Sequence, residues 1–159
     1  MKKLLLLSLL ALIFVGCKTT SVGNTKLDTS SQVDLKGNWR VSSVTYPGSE
    51  YIKVNSFDIA DSQCFVGSTW NFISNNNKGT LTLNNSNCSA YTSPITWYIN
   101  KEGQFVLKVL DEGLKSKKVK TGYFLGVENQ SENSFQLVDK INVGNNPTDV
   151  VYQFQKANH

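Results

Sequence analysis

The chain has 159 residues, 40% of them hydrophobic, with 16 Lys and Arg against 12 Asp and Glu and a formal net charge of +4. Two of those charges are Lys2 and Lys3; without them the net is +2. That is too small a surplus for a nucleic-acid binder or a protein steered to an anionic partner. Three cysteines and one histidine, His159 at the very end, leave almost no material for metal sites or histidine-based catalysis.

Lys2 and Lys3 precede a twelve-residue apolar run, Leu4 to Val15, and then Gly16-Cys17. A run this short cannot cross a bilayer, which needs roughly 20 residues. With its charged start and small residue at the end it reads as a secretion signal over residues 1–16. Gly16-Cys17 resembles the bacterial lipobox, which implies a diacylated Cys17 as first residue of the mature chain and a membrane partner through that lipid. Residues 17–34 are rich in Ser, Thr, Asn and Lys without apolar periodicity, and read as a flexible stalk. The folded domain is expected over residues 35–159, a size sufficient for one core.

Beyond Leu35 the apolar residues alternate in short runs bounded by Asn, Gly and Ser. The pattern predicts strands at Gly37–Tyr46, Ser68–Ile73, Gly79–Asn84, Pro94–Asn100, Gln104–Leu110, Val119–Asn129, Ser134–Val143 and Thr148–Gln155. Turn-rich links join most of them. Eight strands in such a meander favour closure, so the expected fold is all-β: an eight-stranded antiparallel up-and-down β-barrel. The exception to short links is Pro47–Gly67, whose Phe57 and Ile59 need cover; it is expected to form a lid over one mouth or an extra short strand.

Cys64 and Cys88 lie equally far from Asn76. A hairpin folded there sets them opposite each other, within disulfide range, and an exported compartment is oxidising. Two thiols with no nearby histidine make a poor metal site, so the disulfide is the expected use. The basic stretch Lys115–Lys120 reads as a solvated loop and strand start.

Leu35-Lys-Gly37-Asn-Trp39, opening the first strand, resembles the Gly-x-Trp signature of lipocalins. The chain is similar to the lipocalin-like lipoproteins of Gram-negative bacteria from Leu35 to its end. The resemblance implies that Gly37 and Trp39 close the base of the barrel, with a basic residue of the last strand over the tryptophan. Lys156 is the one candidate for that residue, because Arg40, the sole arginine, sits beside Trp39. Lys18 after the lipobox cysteine implies, by the same resemblance, an outer-membrane protein facing the periplasm.

No phosphate loop, metal-ligand spacing or nucleophile motif is present. Asp58 with Asp61, or Asp111 with Glu112, read as solvated charges rather than a catalytic dyad. No catalytic residue and no cofactor are therefore assigned, and the protein is read as a non-enzyme. Trp70, Trp97, Phe105, Tyr123 and Phe135 face inward by alternation, and would line a cavity for a small hydrophobic ligand or make a filled core. A structural lipoprotein that docks an envelope protein is the other reading.

Overall fold

The computed structural model describes residues 32, 34–49, 52–110, 119 and 121–157. The expected secretion signal, Cys17, Lys18 and most of the expected stalk lie outside the described residues, as do Asp111, Glu112 and most of the basic stretch.

Among the described residues ten strands are present: β1 (Gly37–Thr45), β2 (Asn55–Ser56), β3 (Ala60–Asp61), β4 (Thr69–Ile73), β5 (Lys78–Leu83), β6 (Tyr91–Ile99), β7 (Phe105–Val109), β8 (Tyr123–Glu128), β9 (Ser134–Val143) and β10 (Asn146–Lys156). Eight of them close a barrel in the order β1-β10-β9-β8-β7-β6-β5-β4, every neighbouring pair antiparallel. β2 and β3 form a separate two-stranded hairpin inside the long Pro47–Gly67 connection. The expected up-and-down barrel is the fold.

The strand ends differ from expectation where turn chemistry outweighs side-chain pattern. β6 starts at Tyr91, with Pro94 inside the strand, exposed and opposite Thr80. β10 starts at Asn146, so Pro147 is also a strand residue and the turn shrinks to Gly144-Asn145. Neither proline has an N–H to give; Pro94 had been expected to open its strand and Pro147 to lie in the turn. β8 begins only at Tyr123, and Val119 lies outside it.

The alternation correctly assigns the interior. Trp39, Trp70, Phe72, Leu81, Trp97, Phe105, Leu107, Leu125, Phe135, Leu137, Val150, Tyr152 and Phe154 are all buried in one core. Each inward tryptophan also finds an acceptor for its indole N–H: Leu35 O for Trp39, Ser68 Oγ for Trp70 and Lys78 O for Trp97, all at 2.9 Å. A buried indole without such a partner would carry a desolvation penalty of about 1–3 kcal/mol. Val106 and Val138 are buried on the outer face of the wall, which alternation does not anticipate. Val106 lies between Tyr98 and Phe124 in the ladder, and these large neighbours shield it.

The strands give the barrel two unlike ends. The base collects the start of β1 and the end of β10, where Ala157 N donates to Asn38 O at 2.9 Å. Gly37 has φ +128, a conformation that side chains rarely adopt, which is why the Gly-x-Trp pattern needs its glycine. Contacts ahead of β1 also belong to this end. Gln32 is buried and donates from Nε2 to Ser74 O at 3.1 Å, and Leu35 is fully buried.

Candidate functional site: the plugged barrel mouth

The opposite end is covered by residues 52–68. β2 and β3 pair Asn55 with Asp61 and Ser56 with Ala60. Ile59 N donates to Ser56 O at 3.0 Å, closing a turn whose two central residues, Phe57 and Asp58, have φ of +56 and +55. This is the twist a tight hairpin prefers, but glycine or asparagine usually supplies it. A phenylalanine there is held at a cost of roughly 1–2 kcal/mol, so surrounding contacts must enforce it.

Those contacts are aromatic. Phe57 is 4% exposed and its ring centroid lies 5.3 Å from Phe65, 6.2 Å from Trp70, 5.2 Å from Tyr123 and 5.5 Å from Tyr152. Edge-to-face pairs of this kind contribute about 0.5–1.5 kcal/mol each beyond area burial. The tip of the hairpin is therefore a plug seated in the mouth, and the expected lid and the expected extra strand are the same element.

Polar groups fasten the plug at its rim. Tyr123 Oη donates to Asp58 Oδ2 at 2.9 Å, Ser56 Oγ bonds the Tyr152 hydroxyl, and Tyr46 bonds Ser62. Burial first, and then the hydrogen bond and charge of Asp58, hold the Tyr123 hydroxyl far above the usual phenol range. Burial does the same for Tyr152. Both phenols stay protonated at any physiological pH. Asp139 pairs in register with the fully buried Val150, so it faces the interior near the same mouth. Burial raises its carboxyl above the ordinary Asp value.

Cys64 and Cys88 form the expected disulfide, with α-carbons 5.8 Å apart. Its setting differs from the expected hairpin. Ser62–Phe65 is a 3₁₀ turn, and the β4–β5 ladder ends at Thr69 opposite Thr82, pairing Trp70 with Leu81 rather than folding about Asn76. The bond instead ties the plug segment to the loop after β5. Asp61 caps this turn, accepting from Gln63 N at 2.9 Å, while Asp58 serves Tyr123. The two carboxylates are thus structural ligands of the plug. Among the described residues no group of three or more His, Cys, Asp or Glu side chains could hold a metal ion.

The five aromatics expected to face the interior do so unequally. Trp70, Trp97, Phe105 and Phe135 are buried, and Tyr123 is half-buried at the mouth. They pack on one another and on neighbours: Trp97 stacks on Phe105 at 5.6 Å and Phe135 on Phe154 at 4.6 Å. Only Trp70 and Tyr123 touch Phe57. Phe65 and Tyr152 complete the plug's socket. Alternation marked Tyr152 as inward, whereas nothing in the spacing of a loop residue such as Phe65 reveals its place.

At the base, Trp39 packs edge-on to Phe135 with centroids 4.7 Å apart, and Lys156 Nζ lies 5.8 Å above the indole. A glycine with forced φ, a buried tryptophan and a basic residue from the last strand over its ring thus stand together at this end, the arrangement the resemblance implies. The family described as a Lipocalin-like domain matches residues 35–137. The chain belongs to that family. The match ends within β9, and the barrel is completed beyond it by the rest of β9 and by β10. Lipocalin-like domains are in general non-enzymatic binding folds. No curated protein and no solved structure matches the chain significantly.

Proposed function

We propose that this protein is a lipid-anchored lipocalin-like lipoprotein of the bacterial envelope that takes up one small hydrophobic ligand at the barrel mouth, with Phe57 occupying the ligand's place in the free chain. The observation that carries this reading is the plug itself. A phenylalanine at positive φ is seated among Phe65, Trp70, Tyr123 and Tyr152 by rim hydrogen bonds that a short hinge movement would release. Strain of this type accumulates where a segment has to move. The anchor is Cys17, the expected location is the outer membrane facing the periplasm, and no cofactor or nucleic acid enters the reading.

Uptake of an environment-sensitive apolar dye tests it. A Cys17→Ser chain, which carries no acyl group to compete, should bind the dye saturably, and Phe57→Ala should bind it several-fold more tightly because the socket is vacated. Absence of saturable uptake by both would sink the ligand reading. In an export-competent host, Cys17→Ser should also leave the membrane fraction; unchanged membrane association would refute the anchor.

The mutual stacking of Trp97 with Phe105 and of Phe135 with Phe154 favours a second reading, a filled barrel that works by docking an envelope protein. Dye refusal by both chains would select it.

A further inference from the structure

A concavity on the outer wall of this molecule takes no part in the mouth. It is a groove of about 840 Å³ that crosses β1, bounded on one side by Gln155 of β10 and on the other by Asn84 and Asn85. Its lining contains amides, hydroxyls and the cations Arg40 and Lys156, and no carboxylate. A second concavity of about 280 Å³ adjoins it, sharing Thr69 and Ala157 and continuing the same chemistry through Asn38 and Asn71.

Arg40 is the only arginine of the chain, beside fifteen lysines. Its ladder partners are Gln155 and Thr69, and its guanidinium lies over Gly67, where a Cβ would stand 3.5 Å from Nη2. Among the described residues it makes no ion pair. Guanidinium is a planar fork suited to two-point binding of phosphate or carboxylate, which a lysine cannot copy. Lys156 adds positive field at the edge, although its own ammonium is held over Trp39. The walls are fixed: Gly67 N donates to Val41 O at 2.8 Å, Asn85 Nδ2 to Gln63 O at 3.3 Å, and the Cys64–Cys88 bond joins the two loops behind them.

We infer that this outer groove is a second binding site, for the phosphate of a hydroxyl-rich molecule, with Arg40 gripping the anion and the Asn and Gln amides meeting the hydroxyls. The volume exceeds what a bare ion fills, and the amide lining offers donors and acceptors in the mixture that sugar or glycerol hydroxyls require. The site does not depend on the barrel interior opening. A free sugar phosphate and the headgroup of a glycerol phospholipid share this chemistry.

Calorimetry on the lipidated full chain in neutral detergent distinguishes the two sources. One arm titrates glucose 6-phosphate, with glucose as the uncharged control; the other adds phosphatidylglycerol to the micelles. Saturable binding in either arm, weakened at least tenfold by Arg40→Gln and several-fold by Arg40→Lys, supports the site and names its source. Gln155→Glu, which offers Arg40 a carboxylate of the protein's own, should weaken binding as much while leaving the thermal melt unchanged. Lys101→Gln, in an exposed turn, should change nothing. Failure of both arms, binding of glucose as tight as its phosphate, or indifference to Arg40→Gln and Gln155→Glu would overturn the inference.

Discussion

The two ends of this barrel are sealed by aromatic side chains in opposite ways. At the base, Trp39 belongs to the barrel wall: its backbone pairs with Trp70 and Lys156, its ring packs on Phe135, and its N–H reaches Leu35 O. At the mouth, Phe57 belongs to a two-stranded hairpin outside the barrel ladder and reaches the core only through its ring. The base is sealed by residues that also hold the sheet together. The mouth is sealed by one that the sheet can lose. Closure by the wall makes a structural cap, and closure by an appended hairpin makes a stopper.

Substitutions that treat the ends alike should therefore give unlike results. Trp39→Ala should be the most damaging, costing about 3–5 kcal/mol in denaturant unfolding, because it empties a site that cannot collapse without moving β1 and β10. Next is the double change Cys64→Ser and Cys88→Ser. It releases a 24-residue separation and should cost about 3.5 kcal/mol by loop entropy, with the plug segment gaining hydrogen exchange before the base does. Phe57→Ala should cost about 2 kcal/mol, less than a usual buried Phe, because the hairpin tip lies outside the barrel ladder and can relax once its ring no longer anchors it. Equal losses from Trp39→Ala and Phe57→Ala would erase the distinction between cap and stopper.

A smaller effect concerns charge at the mouth. Burial raises the Asp139 carboxyl in the folded protein, so folding is favoured below its unfolded value of 3.8 and loses that advantage as pH rises through the folded value. Asp139→Asn should accordingly raise the Tm at pH 7 and make no difference at pH 3. A melt showing the reverse order would mean the carboxylate has a cationic partner in the folded chain. Lys156→Met, removing the cation above Trp39, should cost about 0.5–1 kcal/mol and only at the base, as protection of β1 and β10 amides would report.

Alternation made the wall legible, since a residue's face follows from its neighbours two positions away. It placed Trp97, Phe105 and Leu107 on one face and Thr96 and Lys108 on the other without any tertiary information. The disulfide was legible for a less secure reason: the equal spacing about Asn76 pointed to the right pair, but the bond forms between a 3₁₀ turn and a loop, not across a ladder. What the sequence concealed depends on contacts between distant segments. Phe57 is a plug only because Trp70, Tyr123 and Tyr152 surround it. Val106 is buried only because Tyr98 and Phe124 flank it across the strands. The Arg40 groove is likewise hidden, because Asn84 and Gln155 come beside β1 only when the barrel closes.

That closure has a consequence for the order in which the protein can be made. β1 is the first wall strand to be synthesised, and its hydrogen-bonded neighbour on one side is β10, the last. Trp39 and Lys156 meet across nearly the whole folded chain. Until β10 is available, β1 and β9 each present a bare edge, and the meander behaves as an open, adhesive ribbon. Joining the ends is a long-range step, which places this domain among slow folders despite its simple neighbour-to-neighbour order. Loss of β10 would leave a ring with its clasp undone.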